Sequence, residues 1–475
     1  MERTIKIDPV TRIEGHAKVT VHLDEGGEVQ EARFHVTFFR GFETFCTGRP
    51  FYEMPSITSR ACGICPVSHL IASAKACDQI VSVTIPRSAV LLRRLMHMGQ
   101  IIQSHALSFF HLSSPDFLVG MDAPPEERNI FAMIDTHPKE AKNGIMLRKF
   151  GQEIIERTAG KKIHSSDWIV PGGVKWPLST EKADQISSDL PGALEITLDT
   201  ISLFKDLLEK MDEGTKTLGD FPSHYMGLVT PDGGLEHYDG RLRVVDPVGK
   251  MVVDQLDPDE YFEHFGEAVE PWSYMKFPFY RPLGYPEGTF RVGPLARLNV
   301  ADHCGTPLAD EELKEFRKLG NNNVVQSTFH YHYARLIEIL HCIERSKELL
   351  EEPELLNDRV WAKAKVNQEE GIGVAEAPRG TLVHHYRVDK EGIIRSMNMV
   401  IATEHSNTAF NQAVTQVAKR YLSGGKFNEG MLNRVEAVIR AFDPCLSCST
   451  HSLGRMALDA RIYDSDGTLV DRRLR

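Results

Sequence analysis

Two pairs of cysteines, each with two residues between its members, stand near opposite ends of the 475-residue chain. Cys62 and Cys65 lie in RACGICPVSH, and Cys445 and Cys448 lie in DPCLSCSTH. A pair of this spacing brings two sulfur atoms within reach of one ion, and two pairs make a four-thiolate site. Soft sulfur ligands suit zinc, iron and nickel. The sequence therefore predicts a metal site built from both ends of the chain.

Four such cysteines could serve a structural zinc site, an iron–sulfur cluster or a catalytic metal. A structural zinc site usually has its cysteine pairs within a few tens of residues of each other, whereas 380 positions separate Cys65 from Cys445. A histidine follows each pair, His69 after the first and His451 after the second. A single histidine is more often a hydrogen-bonded core residue, but the parallel placement of two favours a catalytic metal.

The composition of the chain is that of an ordinary globular protein, with 41% hydrophobic and 25% charged residues. A net charge of -11 argues against nucleic acid as a partner, because phosphate binding needs a clustered basic surface. No segment has an apolar run of the length that a signal peptide or a membrane span requires. Eight cysteines in a chain of this size indicate reduced thiols rather than disulfides. We expect a cytoplasmic protein.

The hydrophobic pattern predicts which elements carry the cysteines. HAKVTVHLD and VQEARFHVT alternate apolar and polar residues around EGGE, which is typical of a β-hairpin. After the first cysteine pair, apolar residues recur every three or four positions, as in buried helices. Helices are predicted over 70–81, 88–112, 137–158, 180–219, 308–350 and 404–441, and short strands within 226–252 and 380–402.

Neither a linker nor an internal repeat divides the chain. The proline- and aromatic-rich stretch 270–290 predicts an irregular connection. We therefore expect an α+β fold that is mostly helical, with a central buried helix bundle and small peripheral β-sheets, and a single unit that spans residues 1–475.

The cysteine motifs and three shorter blocks resemble the large subunit of nickel–iron hydrogenases. RACGICPVSH resembles the family's RxCGxCxxxH motif, and DPCLSCSTH resembles its DPCxxCxxH motif. RIEGH at 12–16, FRGFE at 39–43 and APRG at 377–380 follow in the family's order. Related respiratory-complex subunits have lost the four cysteines, whereas this chain keeps them. The resemblance extends from residue 12 to residue 451 and implies the fold of that family.

The resemblance also implies a ligand set and a reaction. Cys62 and Cys445 would be terminal thiolates on nickel, while Cys65 and Cys448 would bridge nickel to an iron that carries carbon monoxide and cyanide. A nickel with an open position can act as a Lewis acid toward dihydrogen. The implied activity is the reversible heterolytic cleavage of dihydrogen into protons and electrons.

Two residues are implied to move the proton. In the family the thiolate that corresponds to Cys445 is the base, and the glutamate of RIEGH, here Glu14, relays the proton outward. Outside the motif, a glutamate at the start of a strand is usually a solvated surface group. A carboxyl group close to a thiolate is nevertheless a suitable proton carrier.

The APRG block is implied to place a guanidinium over the metal. Arg379 would hold a fixed positive charge at the open metal position, with Pro378 beside it. Outside the motif, Arg379 would be read as a surface ion pair. Asp443 and Asp116, the latter in SSPDF, are the expected partners of this guanidinium. Asp443 could equally be a turn former before a proline.

A second metal is implied near the C-terminal motif. His451 would be a ligand of a hard cation, magnesium or another divalent ion, with Glu43 of FRGFE as another ligand. Nitrogen is an unusual ligand for magnesium, which prefers oxygen, so this assignment rests on the resemblance alone. His69 would be a hydrogen-bonding group near a bridging cysteine.

Electron transfer and maturation are expected to involve other proteins. The chain has no second cysteine cluster for an iron–sulfur relay, so we expect an iron–sulfur small subunit. The blocks look most like cytoplasmic methyl-viologen-reducing hydrogenases of anaerobic energy metabolism, which are coupled to heterodisulfide reductase. The next most similar enzymes are those that are coupled to a flavin and nicotinamide module or to a deazaflavin module. In most of the family a protease removes the residues that follow the position of His451. The chain therefore divides into a core of residues 1–451 and a tail of residues 452–475, which is either removed on maturation or kept, as in a relative that retains its tail. LDARIYDSDGTLVDRRL predicts a hairpin in that tail.

Two other functions use the same residues. A regulatory sensor of dihydrogen would have the same site with very slow turnover. A non-catalytic subunit would hold zinc or an iron–sulfur cluster as a scaffold. The wide spacing of the cysteine pairs and the acidic and arginine residues around them argue against the scaffold.

Overall fold

The computed structural model describes residues 3–165, 167–424, 427–452, 459–464, 466 and 468–474. Within them the α-helices are α1 Phe42–Cys46, α2 Met54–Thr58, α3 Pro66–Val81, α4 Arg87–Ala106, α5 Ile130–Thr136, α6 Pro138–Ala159, α7 Thr180–Lys210, α8 Glu213–Lys216, α9 Tyr261–His264, α10 Pro294–Val300, α11 Pro307–Arg317, α12 Tyr331–Glu351, α13 Ala402–His405, α14 Asn407–Leu422, α15 Glu429–Phe442 and α16 Leu446–Ser449. Two π-helical segments, Leu107–Ser113 and Pro115–Val119, follow α4.

The strands form small sheets. They are β1 Arg3–Ile7, β2 Ala17–Leu23, β3 Val29–Val36, β4 Ile169–Val170, β5 Gly173–Val174, β6 His224–Val229, β7 Arg241–Val245, β8 Met251–Leu256, β9 Phe265–Ala268, β10 Phe277–Tyr280, β11 Phe290–Arg291, β12 Glu370–Ala377, β13 Gly380–Val388, β14 Ile394–Val400, β15 Asp459–Tyr463 and β16 Leu469–Leu474. The sheets include the antiparallel sheets β1–β2–β3 and β12–β13–β14 and a four-stranded sheet of order β11–β6–β7–β8.

Long helices form the centre of the molecule. Helix α4 packs against α6 and α12, and α12 packs against α7. Nearly every side chain of α4 is buried, as expected for a core helix rather than an amphipathic surface helix. A Cβ atom on Gly99 of α4 would lie 2.8 Å from the carbonyl oxygen of Gly151 in α6. The two backbones touch at this crossing because neither residue has a side chain.

Sheet β12–β13–β14 is buried and supports α3, the helix that follows the first cysteine pair. A Cβ atom on Gly373 would lie 1.9 Å from the carbonyl oxygen of Ala72, so the backbone of α3 rests directly on β12. The main hydrophobic core includes all four motif cysteines, and a second, smaller core lies beside it, around β6, β7 and β13.

The predicted fold class is confirmed, as are the N-terminal hairpin, now β2 and β3, and the hairpin β15 and β16 of the tail. Segment 308–350 is divided into α11 and α12, with Asn322 and Asn323 at positive φ in the turn between them. Segments 180–219 and 404–441 are likewise divided, and 270–290 contains β10. Among the described residues, no helix combines the length and the apolar character that a membrane crossing would require.

Candidate metal centre

The four motif cysteines converge on one buried point. Their sulfur atoms all lie within 4.8 Å of one another. The Sγ atoms of Cys62 and Cys445 are 3.2 Å apart, and those of Cys65 and Cys448 are 3.7 Å apart. The Sγ atoms of Cys445 and Cys448 are 3.0 Å apart. The expectation that the two ends of the chain build one four-sulfur group is therefore met.

The first cysteine pair is positioned by the start of α3. Pro66 opens this helix, where its missing N–H costs no hydrogen bond, and Cys65 is the residue before it. The backbone N–H groups of Ile64 and Cys65 both donate to Sγ of Cys62, each at 3.2 Å. These two hydrogen bonds fix the position of the Cys62 sulfur atom beside Cys65.

The second pair is positioned by the end of α15 and by the segment between β1 and β2. Asp443 adopts a left-handed backbone conformation (φ 61°) that ends the helix and turns the chain toward the site. Cys445 forms an isolated parallel bridge with Glu14, and the N–H of Leu446 donates to the carbonyl oxygen of Glu14 at 3.2 Å. The N–H of Cys445 donates to Oγ1 of Thr403 at 3.0 Å.

Thiol electrostatics favour a metal at this point. Hydrogen bonds from Cys445 and Cys448 lower the pKa of Cys65 well below its ordinary value. The neighbouring sulfurs, Cys448 first, raise the pKa of Cys445 well above its ordinary value, since further thiolates would repel one another. Four sulfurs this close cannot all ionise unless a cation neutralises them. The donor set is soft and fits nickel and iron.

Arg379 is buried against this group. Strands β12 and β13 pair through Ala377 and Gly380, so Pro378 and Arg379 are the two residues of a tight hairpin turn. The Arg379 guanidinium donates to Asp443, from Nη2 to Oδ1 at 2.9 Å and from Nε to the backbone oxygen at 2.6 Å. The expected pair of Arg379 with Asp443 is therefore present.

The pKa of Arg379 is raised well above its ordinary value. Burial acts in the opposite direction but is outweighed by Asp443 and by the sulfur groups of Cys445, Cys65 and Cys62. The guanidinium thus lies within electrostatic reach of three of the four cysteines, as a fixed positive charge.

Asp116 lies in a different group, and its expected contact with Arg379 is wrong. Its carboxylate accepts from Arg440 at 2.8 and 3.1 Å, from Asn433 at 3.1 Å and from Arg12 at a short distance. Burial opposes the ionised form, but Arg440 and Arg12 lower the pKa of Asp116 below its ordinary value. The second side-chain partner of Arg379 is instead Ser104 of α4, whose Oγ accepts from Nη1 at 3.2 Å.

Glu14 is held beside the second cysteine pair. Its Oε2 accepts from the backbone N–H of Ser447 at 2.9 Å, and its Oε1 accepts from the Ser447 hydroxyl at a short distance. Ser447 stands between Cys445 and Cys448. The carboxylate of Glu14 is thus joined to the same turn that carries both thiols.

His451, Glu43 and an unpredicted residue, Glu404, form a second polar group. Nε2 of His451 lies 3.5 Å from Oε1 of Glu43 and 3.7 Å from Oε1 of Glu404. Neither this Nε2 nor Oε2 of Glu404 has a hydrogen-bond partner within the described part of the chain, and both are buried.

The ionisation of this second group fits a cation. Burial raises the pKa of Glu43 to about 7, and burial followed by the charge of Glu267 raises that of Glu404 well above its ordinary value. Burial lowers the pKa of His451 to about 3, so its imidazole is neutral. A divalent ion would stabilise both carboxylates and use the free nitrogen, although the oxygen donors suit magnesium better than the nitrogen does.

His69 reaches the first cysteine pair and a buried chain of polar groups. A hydrogen bond from His69 contributes to the lowered pKa of Cys65. Nδ1 of His69 lies 3.1 Å from Nε2 of His384, whose Nδ1 lies 2.6 Å from the hydroxyl of Tyr386. The expectation that His69 acts from outside the ligand set agrees with this geometry.

The residues that the sequence did not single out are Ser104, Ser447, Glu404, His384 and Tyr386. Ser447 lies inside a motif and could have been found as the polar residue between two cysteines. The other residues lie in ordinary helix and strand patterns that carry no local signal.

Comparison with known proteins places the chain in a family. The family model described as nickel-dependent hydrogenase matches residues 40–139 and 245–451, and a HoxL-like model matches residues 4–39. The chain is 45% identical over 490 residues to the NAD-reducing hydrogenase HoxS subunit beta of Cupriavidus necator, with 100% of both chains covered. It is also 45% identical to one chain of the F420-non-reducing hydrogenase vhu of Methanocaldococcus jannaschii, over 87% of this chain and 98% of that relative.

Solved structures agree with this result. An NAD+-reducing [NiFe]-hydrogenase in the H2-reduced state superposes with a TM-score of 0.92 at 45% identity, over 94% of this chain and 99% of that one. A Ni-Fe-Se hydrogenase from D. vulgaris Hildenborough, at 24% identity and a TM-score of 0.74, has the same fold. The motifs, the four-sulfur group and the comparisons agree, and the chain belongs to the large-subunit family of the nickel-dependent hydrogenases.

Proposed function

We propose that this chain is the subunit in which dihydrogen is split heterolytically and reversibly into protons and electrons. The observation that carries this proposal is the convergence of four buried thiols within 4.8 Å, next to a buried guanidinium. When bound, nickel and iron would supply an open, Lewis-acidic position at which dihydrogen is polarised.

The four cysteines would hold the metals. Cys62 and Cys445 would bind nickel as terminal thiolates, while Cys65 and Cys448 would bridge to an iron with carbon monoxide and cyanide ligands. The positions of these residues in the two motifs support the assignment. The 3.2 Å and 3.7 Å sulfur pairs, each of which joins one motif to the other, support it as well.

The proton would pass from a thiolate to a carboxylate. Sγ of Cys445 would accept it, and Glu14 would carry it away from the site. The backbone bridge between Cys445 and Glu14 supports this role. The N–H and hydroxyl of Ser447 would keep the carboxylate in place.

Arg379 would provide a fixed charge and exclude water. Its guanidinium cannot lose its proton at neutral pH, so it would favour negative charge at the sulfurs of Cys445, Cys65 and Cys62 throughout turnover. Asp443 would orient it through two hydrogen bonds, and Pro378 would close the hairpin beside it. Asp116 is bonded to Arg440, Arg12 and Asn433 instead, so it would affect the site only by stabilising the surrounding fold.

A divalent cation, magnesium by preference, would bind between Glu43, Glu404 and His451. The unpartnered atoms of Glu404 and His451 support this assignment. Such an ion would fix the end of the core next to Cys448, whose carbonyl oxygen lies 3.3 Å from Nδ1 of His451.

Electrons would leave through partner subunits. Among the described residues, the one group of four converging cysteines is assigned to nickel and iron, which supports an iron–sulfur small subunit as the place of the electron relay. The name NAD-reducing hydrogenase of one relative supports a nicotinamide-linked electron module. A module coupled to heterodisulfide reductase, and a place in the cytoplasm, rest on the resemblance of the sequence blocks alone. The chain would act as one unit, and a protease would remove residues 452–475 after metal insertion.

The deciding experiment is metal analysis of the complex purified from its own organism, together with Cys445→Ser and Cys448→Ser. We expect about one nickel per chain, and the loss of both nickel and dihydrogen oxidation in each variant. The matched control is Cys342→Ser, at a buried cysteine of α12 outside the site, which should keep both. Negligible nickel with one zinc would instead establish the scaffold. Full nickel with very slow turnover would establish a sensor of dihydrogen.

A further inference from the structure

Arg335 of α12 is a fully buried arginine that the roles above do not use. None of its three guanidinium nitrogens donates a hydrogen bond to a residue that the structure describes. Other buried arginines are well bonded: Arg297 pairs with Glu338 and Glu376, and Arg291 donates to backbone carbonyl groups. A buried guanidinium without partners is costly, so its surroundings must compensate for it.

The surroundings of Arg335 lead to the metal centre. Its Cζ atom lies 5.6 Å from the ring centre of Tyr331, one turn earlier on the same helix. That ring packs against Phe442 at 5.1 Å between centres, and Phe442 precedes Asp443. Tyr331 and Phe442 thus link Arg335 on α12 to the segment that leads into Asp443, whereas Arg379 of the β12–β13 hairpin contacts Asp443 directly.

The charges that face Arg335 are those of the site. Burial lowers the pKa of Arg335 to about 10, Asp443 raises it and Arg379 lowers it. Tyr331 and Glu338 add smaller contributions that raise it. The guanidinium therefore keeps its charge at neutral pH, and the favourable charge it faces most strongly is the carboxylate of Asp443.

Unpartnered acceptors lie on the same side of the site. Oδ1 of Asp443 is bonded to Arg379, but Oδ2 is buried and has no hydrogen-bond partner among the described residues. The hydroxyl of Ser108 is also buried and lies close enough to that carboxylate to favour its charged form, although it makes no hydrogen bond of normal geometry to a described residue. Complementary buried donors and acceptors that do not touch are joined in proteins by ordered water molecules.

We propose that Arg335 is a positioning residue of the metal centre, whose guanidinium is joined through ordered water to Oδ2 of Asp443 and so holds Arg379 in place. Asp443 then lies between two fixed positive charges, one in direct contact and one through water. The second charge also favours negative charge on the nearby sulfurs, because Coulomb interactions are strong in a buried site. The part of this inference that concerns Arg379 rests on the proposed function. The water bridge does not depend on that function and rests on the positions of the buried, unpartnered groups.

The first test is a high-resolution structure of the assembled, metal-containing complex. We expect ordered water within hydrogen-bond distance of both the Arg335 guanidinium and Oδ2 of Asp443. Direct bonding of Arg335 to some other group, with Oδ2 of Asp443 bonded elsewhere, would overturn the proposal. This test does not depend on activity. A complex that fails to cleave dihydrogen would refute the proposed function, but its structure would still show whether the water bridge is present.

The second test compares Arg335→Met and Arg335→Lys with Arg243→Met, a control that removes a buried arginine of β7 bonded to Asp254 and Asp302, outside the metal centre. Readouts are nickel content, kcat and KM for dihydrogen oxidation, and the infrared bands of the carbon monoxide and cyanide ligands. Arg335→Met should lower kcat roughly tenfold to a hundredfold, leave KM for dihydrogen unchanged and shift the bands. Arg335→Lys should recover most of kcat and the wild-type bands, and the control should keep both.

Each of the remaining outcomes also supports or refutes the role of Arg335. Nickel-loaded Arg335→Met with wild-type kcat and bands would refute the role of Arg335. The same band shift in Arg243→Met would refute it too, because the effect would then be general to buried arginines. If Arg335→Met does not fold, the bands of Arg335→Lys and the water positions in the wild-type complex decide instead.

Discussion

Replacing Asp116 by asparagine should destabilise the fold while leaving the metal centre assembled. The carboxylate accepts hydrogen bonds from Arg440, Arg12 and Asn433, and it is almost completely buried. Asparagine keeps the shape but removes the negative charge, which leaves two guanidinium groups facing each other across a neutral amide. Removing one partner of a buried ion pair costs about 3–5 kcal/mol. We expect a loss of that size in the free energy of unfolding.

The assay is urea denaturation of the purified complex, followed by tryptophan fluorescence, together with nickel content and dihydrogen oxidation at saturating substrate. The matched control is Asp199→Asn, whose carboxylate pairs with Lys139 on an exposed surface. An exposed pair is screened by solvent and contributes little to stability, so the control should unfold almost like the wild type. A nickel-loaded Asp116→Asn with unchanged stability and lost activity would refute the reasoning and place Asp116 in the catalytic group.

Three further predictions concern acid stability, packing and the second metal. Burial lowers the pKa of three histidines to about 3 or 4 in the folded chain, whereas in the unfolded chain their pKa is about 6.5. Below pH 6.5 the unfolded chain therefore binds protons that the folded chain does not, so the folded state is fully stable above pH 6.5 and loses stability as the pH drops toward 4. We expect urea titrations to show a loss of roughly 1 kcal/mol per histidine between pH 7 and 5.5. These are His97, His330 and His341. Unchanged stability at pH 5.5 would contradict this. Gly373→Ala should lower the free energy of unfolding by about 3 kcal/mol or more, because the added Cβ atom would push α3 away from β12. The control Gly192→Ala in α7, where the space around the glycine is open, should be neutral or slightly stabilising. Equal melting temperatures of the two variants would refute the packing argument. Glu404→Gln should lower the content of the second divalent metal with nickel retained, and an unchanged metal content by plasma emission would exclude Glu404 as a ligand.

The residues that the sequence identified are those whose chemistry is local. Cys62 and Cys65 are three positions apart, so one turn holds both sulfurs wherever the rest of the chain goes. The same is true of Cys445 and Cys448. Helices α3, α4 and α6 were predicted because their apolar residues recur with the period of a helix, a property of neighbouring positions.

The tertiary structure decided which distant groups meet. Asp116 and Ser104 both follow the first cysteine motif, and nothing in their local patterns tells which one reaches Arg379. The packing of α4 against the β12–β13 hairpin brings Ser104 to it, while α15 brings Arg440 to Asp116. A carboxylate pairs with whichever cation the fold brings within a few ångströms.

Glu404 and Arg335 illustrate the same limit. Each lies in an ordinary helical pattern of the sequence. What distinguishes these two residues is that they are buried with polar atoms that lack a hydrogen-bond partner among the described residues, and that the charges they face are distant in sequence. By itself, the sequence determined the four thiols, the family and the mostly helical fold, because motif spacing and hydrophobic period are local. Only the tertiary structure determined the environment of the thiols, because burial and unpaired hydrogen-bonding groups are properties of the packed molecule.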